Sequence, residues 1–89
     1  MQMELSIERK TLTGSKTAFV FDYKRPRFVV KNFTDSDVYV SFSQSATDDK
    51  SIKIPSGMGQ ICMVNDEDHG IGIDTIYVKG TGEVEVQQI

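Results

Sequence analysis

The chain has 89 residues, of which 38% are hydrophobic, and its formal net charge is −3. A chain this short supports one core, so we expect a single domain over residues 1–89. An acidic balance argues against a dedicated nucleic-acid binder, and the lone Cys62 excludes an intramolecular disulfide. With no run approaching the roughly 18 apolar residues of a membrane helix and no secretory signal pattern, we expect neither membrane insertion nor export by a signal peptide.

The first third of the chain alternates between apolar and polar residues with a period of two, which is typical of strands. This alternation predicts one strand over residues 2–8 and a second over residues 16–23. The second strand has Phe19, Phe21 and Tyr23 on one face. Pro26 then interrupts the pattern, because proline lacks the amide donor that a central strand needs.

The middle of the chain predicts a hairpin and two short strands. Residues 28–33 and 38–42 flank Thr34-Asp35-Ser36-Asp37, whose short side chains favour a tight turn. We therefore expect these two strands to pair with each other. Further strands are predicted over residues 52–54 and 61–63, with a glycine-containing turn between them.

The C-terminal region predicts a second hairpin. Residues 71–78 and 83–89 are joined by Lys79-Gly80-Thr81-Gly82, which is a strong turn signal. No segment of ten or more residues has a helical stripe. The sequence therefore predicts an all-β domain, a small β-sandwich or partly open barrel of about seven to eight antiparallel strands.

Charge is unevenly distributed along the chain. Residues 1–34 contain seven Lys or Arg and three Asp or Glu, whereas residues 35–89 contain three and ten. Such a chain can present complementary faces to copies of itself or to a charged partner. The alternative is that folding mixes the two halves in space.

One cluster has the residue types of a metal site, namely Asp66-Glu67-Asp68-His69-Gly70. Oxygen-rich loops of this kind hold calcium, which makes Asp66 and Asp68 candidate ligands. The segment lacks the closing glutamate that a calcium loop of the best-known type needs. We therefore interpret it as a solvated turn and expect no metal and no cofactor.

The residues needed for nucleophilic catalysis are scarce. His69 is the sole histidine, and Cys62 lies between Ile61 and Met63 on a predicted strand, where it is typical of a small buried hydrophobe. No phosphate-binding glycine motif or zinc-ligand spacing is present. The sequence therefore predicts a protein that is not an enzyme and that has no small-molecule substrate.

The one basic cluster is Lys24-Arg25-Pro26-Arg27, flanked by Tyr23 and Phe28. A basic loop beside aromatic residues can bind phosphates or an acidic protein surface. In an acidic chain, an acidic protein partner is favoured over nucleic acid, so Lys24, Arg25 and Arg27 are candidate partner-binding residues. The alternative is a solvated loop that prevents edge-to-edge pairing.

Three stretches in the C-terminal two thirds resemble a known group of proteins. Residues 30–42 combine an asparagine, a polar turn and Val38-Tyr39-Val40. Residues 52–57 read Ile-Lys-Ile-Pro-Ser-Gly, and residues 76–86 read Ile-Tyr-Val-Lys-Gly-Thr-Gly-Glu-Val-Glu-Val. This pattern resembles small β-rich structural proteins of tailed bacteriophages and prophages. The resemblance implies a non-enzymatic head, neck or tail component, made in the host bacterial cytoplasm and located in the virion.

The same resemblance implies that the partners are other virion proteins and copies of the chain itself. A rigid domain can repeat around a ring, where symmetry multiplies each weak contact. The alternative function is a β-sandwich module that binds carbohydrate on aromatic side chains. Tyr39 and Tyr77 lie on the outward phase of their strands and are the candidate contact residues for either a sugar or a protein partner.

Overall fold

A computed structural model describes residues 6–64 and 72–89, and this part of the chain is built from strands. A one-turn 3-10 helix, Asp48–Lys50, lies between the third and fourth strands. The predicted all-β class is confirmed. The strands are β1 (Ile7–Arg25), β2 (Arg27–Asn32), β3 (Val38–Ser41), β4 (Ile52–Ile54), β5 (Gly59–Met63) and β6 (Ile73–Gln88).

The strands form one antiparallel sheet that curls into a nearly closed barrel around β6. β1 pairs with one edge of β6 over most of its length. On the other edge of β6, β2 pairs with residues 84–88 and β3 pairs with residues 77–79. We call one run of neighbouring segments the first sheet: β5, β2, residues 81–88 of β6 and residues 7–13 of β1. The second sheet consists of β4, β3, residues 73–79 of β6 and residues 16–25 of β1.

The two longest strands turn the corner between the two sheets without ending. β1 has a register shift at Gly14, and β6 passes its own corner at Gly82, both with positive φ. The predicted Lys79–Gly82 hairpin is therefore wrong, and the first two predicted strands are parts of the single strand β1. Residues 2–5 of the first predicted strand lie outside the described residues. Glycine allows a sharp bend in a continuous ladder, so four predicted strands merge into two.

The predicted pairing of residues 28–33 with 38–42 is also wrong, since β2 and β3 both pair with β6 instead. The cause is the side chain of Asn32, which is 1% exposed. Its Nδ2 donates to the carbonyl oxygens of Ser36 (2.8 Å) and Ile54 (2.9 Å), and its Oδ1 accepts from the Thr34 amide. These bonds hold the chain in a corner that passes from the first sheet to the second.

The core lies between the two sheets and is filled by inward-facing residues. Phe19 and Phe28 are fully buried, and the rings of Phe21 and Phe28 lie 5.8 Å apart. Tyr23, expected on the same face as Phe19, is 66% exposed because the register shifts between Val20 and Arg25. The other buried hydrophobic residues are Leu12, Val30, Val38, Val40, Ile54, Cys62, Ile76, Val78, Val84 and Val86.

The β1 side of the barrel is bridged by a lysine. Lys10 Nζ donates to the Ala18 carbonyl oxygen at 2.7 Å and lies 5.3 Å from the centre of the Phe19 ring. One side chain thereby links the two arms of β1. Among the described residues, no helix has the length and apolar character needed to cross a bilayer.

Candidate functional site

The outer face of the first sheet presents apolar side chains to solvent. In β5, Cys62 is buried while Ile61 and Met63 are 57% and 56% exposed. Ile61 pairs with Val29, and Val29 pairs with Gln87 on its other side. Because directly opposed residues of neighbouring strands share a face, Ile61 and Val29 form one apolar row across this surface.

A buried carboxylate lies beside that row. Glu85 on β6 is 6% exposed, and its two oxygens bind Arg9 Nε at 2.7 Å and Lys31 Nζ at 3.2 Å. Both basic side chains are well exposed. Their hydrogen bonds and charges hold the pKa of Glu85 below its usual value.

The ion pairs of Glu85 with Arg9 and Lys31 also show how folding distributes the uneven charge of the chain at these positions. Arg9 and Lys31 come from the basic first third of the chain, and Glu85 comes from the acidic remainder. Lys79 and Asp48 form a further ion pair at 3.2 Å within the acidic part. At this face, the antiparallel pairing of β1 and β2 with β6 mixes the two halves in space.

We expect Glu85→Gln to lower the free energy of unfolding by about 1 kcal/mol at pH 7, since the exposed partners are screened by solvent. Because the pKa of Glu85 is lower in the folded state, its carboxylate stabilises the fold at pH values above the unfolded-state pKa of about 4.3. This stabilisation is lost as pH falls through the folded-state pKa. The difference between parent and variant should therefore shrink as pH falls below the unfolded-state pKa and disappear below the folded-state pKa. Urea unfolding at several pH values measures it.

The exposed Glu83 provides a matched control on the same strand. Glu83→Gln removes the same charge and should change stability by no more than about 0.5 kcal/mol. Equal losses for the two variants, or a Glu85 effect that does not depend on pH, would contradict the role given to the ion pairs.

Within the part of the chain that the structure describes, β5 has backbone groups that no other strand pairs. The amides of Asn32 and Val64 bond to the carbonyl oxygens of Met58 and Pro26. In an antiparallel pair, the backbone groups of alternate residues point toward the partner strand. These bonds and the register of β2 and β5 show that the even-numbered residues of β5 are the ones that bond to β2. The amides and carbonyls of Gly59, Ile61 and Met63 therefore point away from β2. Among residues 6–64 and 72–89, β5 has no other strand partner.

The predicted basic cluster lies at the turn between β1 and β2. Lys24, Arg25 and Arg27 are all exposed, and the Arg25 guanidinium lies 5.9 Å from the centre of the Tyr23 ring. Arg27 pairs with Met63 in the β2–β5 register, so it borders the apolar row on the outer face of the first sheet.

The two candidate tyrosines lie on the other sheet. Tyr39 pairs with Lys79, and Tyr77 pairs with Ser41, so they are diagonal neighbours on one outer face. Both are half-buried. The structure thus brings Tyr39 and Tyr77 together. The basic turn lies elsewhere, about 20 Å further along β1 from the position opposite Tyr77, at the usual rise per residue of a strand.

Residues 43–50 are held against the face that carries the tyrosines. Lys16 Nζ donates to the carbonyl oxygens of Gln44 (2.7 Å) and Ala46, and Lys79 Nζ lies 3.2 Å from Asp48 Oδ1. Lys16 and Lys79 are opposite each other on β1 and β6. The outer face of the second sheet is therefore partly covered by a polar segment.

The metal candidates Asp66 and Asp68 lie outside the described residues. Within the described ranges, no group of three or more His, Cys, Asp or Glu side chains is placed to hold a metal. Cys62 is 1% exposed, and burial raises the pKa of its thiol to about 11. A neutral, buried thiol is a poor nucleophile, in keeping with its interpretation as a small hydrophobe.

Two features of the site were missed by sequence reasoning. Ile61 and Met63 were expected simply to begin a strand. The predicted burial of Cys62 implies that they face outward, but it does not show that Val29 on β2 lies beside Ile61. Glu85 looks like an ordinary outward residue of an alternating strand. Its partners lie 54 and 76 positions away, so nothing near it in the sequence identifies them.

The described residues define a small antiparallel β-sheet that curls into a nearly closed barrel and presents apolar side chains on the outer face of its first sheet. Comparison with models of protein families, with curated proteins and with solved structures yields no match.

Proposed function

We propose that the protein is a non-enzymatic structural or adaptor component that acts through protein–protein assembly. The observation that carries the proposal is the outer face of the first sheet, where Ile61 and Met63 are more than half exposed beside Val29. Contiguous apolar surface of this kind is typical of interaction sites. The exposed Arg27 at its border gives the surface the polar rim that interfaces have.

The particle in which it assembles is proposed from the sequence resemblance alone: the head, neck or tail of a tailed phage or prophage. A compact barrel with polar turns suits such a position, because a repeated lattice needs rigid units with small complementary contacts. The partners are then other virion proteins, with the basic turn at Lys24, Arg25 and Arg27 offering a second contact for an acidic surface.

Purified particles provide the test. Virions released from the strain or phage that encodes the chain are banded by density, and the chain is quantified in the band by mass spectrometry. A fixed copy number per particle would support the proposal. Complete absence from particles that carry every other structural protein would refute the virion role.

The second candidate function is carbohydrate binding by the second sheet. The observation in its favour is that Tyr39 and Tyr77 share one outer face as diagonal neighbours. Aromatic rings on one face suit the apolar side of a sugar ring. A glycan-array signal that disappears in the Tyr39→Ala, Tyr77→Ala double variant would support this function, and a signal that survives the double variant would exclude these residues.

A further inference from the structure

We infer that β5 is a self-pairing edge, through which two copies of the chain join their first sheets into one continuous antiparallel sheet. The outward amides and carbonyls of Gly59, Ile61 and Met63 provide the donors and acceptors. A row of unpaired backbone groups at a sheet edge is a template for another strand. Self-pairing through β5 adds a strand, a register and a partner to the proposed assembly role.

The register follows from a two-fold axis at Ile61. An antiparallel pair centred there places Ile61 opposite the second copy's Ile61 and Gly59 opposite the second copy's Met63. All three residues then form hydrogen-bonded pairs, because each has its backbone groups on the outward edge. Symmetry makes the same patch its own complement, as a closed dimer requires.

The side chains favour this register as well. Since Val29 is next to Ile61 within each copy, the central row of the joined sheet reads Val29, Ile61, Ile61, Val29 and is apolar throughout. Met63 lies opposite a glycine, which leaves room for its long side chain. β5 contains no charged residue and no proline, the usual features that prevent edges from pairing.

The other exposed edges of the described sheet have those protective features. β4 has three residues, with the exposed Lys53 at its centre and Pro55 directly after it. The outer edge of β1 carries Glu8, Arg9 and Lys10 and bends at Gly14. β5 is therefore the edge best suited to a second copy.

Sedimentation of the purified chain from about 1 μM to about 500 μM tests the inference, with Ile61→Lys as the first variant. Two lysines directly opposed across the axis repel each other, so the dimer dissociation constant should rise at least about tenfold. Val20→Lys is the matched control, because Val20 is also 57% exposed but lies on β1. It should leave the constant unchanged.

Ile61→Pro separates backbone pairing from apolar contact. Proline at this position removes an amide that points away from β2 and leaves the bonding residues Gln60 and Cys62 intact. The variant should therefore fold and remain monomeric. In the parent chain, hydrogen exchange at the Ile61 amide should slow at least about tenfold as concentration rises through the dimer range, while the Gln60 and Cys62 amides are slow throughout.

A parent chain that is monomeric at every concentration would overturn the inference. So would a dimer that persists in both Ile61 variants, or one whose formation leaves the Ile61 amide exchanging freely. None of these results bears on the presence of the chain in purified particles, so failure of self-pairing is distinguishable from failure of the proposed function.

Discussion

Gly72→Ala should lower the free energy of unfolding by roughly 3 kcal/mol or more, which in a domain this small is a large part of the total. A Cβ built on Gly72 would overlap the carbonyl carbon of Arg25 and the amide nitrogen of Pro26. Both contacts are with backbone, so no side-chain rotation relieves them. The backbone must move at the turn where β1 passes into β2.

Gly57→Ala is the matched control for this prediction. Gly57 also has positive φ, at 77° against 95° for Gly72, but a Cβ there would meet nothing within 4 Å. Gly57→Ala should therefore lower the free energy of unfolding by about 1–2 kcal/mol, which is the cost of placing an alanine in the left-handed backbone region. Urea unfolding of the two variants measures the difference, and equal losses would show that the contact with Arg25 and Pro26 is not what matters.

Asn32→Asp should destabilise the protein by about 3–5 kcal/mol at neutral pH, since it leaves an unpaired charge in a buried site. The change keeps the shape of the side chain but replaces its two donors with an oxygen. That oxygen faces the carbonyl oxygens of Ser36 and Ile54. Both carbonyls lose a partner and gain a repulsive neighbour.

The effect should depend on pH in a definite direction. Burial against two carbonyls raises the folded-state pKa of the introduced carboxyl above its unfolded value of about 3.9. The penalty is then small below that unfolded value, grows as pH rises and is complete above the folded value. Because Glu85 contributes equally to parent and variant, the difference between their unfolding free energies at the same pH measures the effect of the introduced carboxyl alone.

Gln44→Glu provides the control for added charge. It introduces the same single negative charge in an exposed loop and should change stability by less than about 0.5 kcal/mol. A loss for Asn32→Asp no larger than this would mean that the Asn32 amide is not what holds the corner between β2 and β3.

The predicted hairpins show where sequence reasoning ended. Thr34–Asp37 has the composition of a tight turn, but the same residues serve equally well in a corner between sheets. What distinguishes the two is a bond from Asn32 to Ile54, 22 positions further along the chain. Likewise, Gly80 and Gly82 read as a turn, yet β6 continues through them because β1 follows it around the same bend.

The candidate site was predictable to a smaller degree. The outward phase of Tyr39 and Tyr77 and the exposed basic turn follow from alternation and from proline chemistry. The apolar outer face followed only in part, because the predicted burial of Cys62 turns Ile61 and Met63 outward but does not show that β2 places Val29 beside Ile61. Cys62 and not Ile61 faces the core, and Phe28, directly opposite Cys62, is fully buried on the same side.

The sequence by itself determined the all-β class, the positions of most strands and the burial of residues such as Phe19, Val38 and Val40. These depend on side-chain periodicity, which is local. Only the tertiary structure decided that β6 is the central strand, that Asn32 forms a corner, and that β5 has no second strand partner among the described residues. Each of these depends on which distant backbone groups meet, because hydrogen bonding between strands is satisfied across the fold and leaves no mark on neighbouring residues.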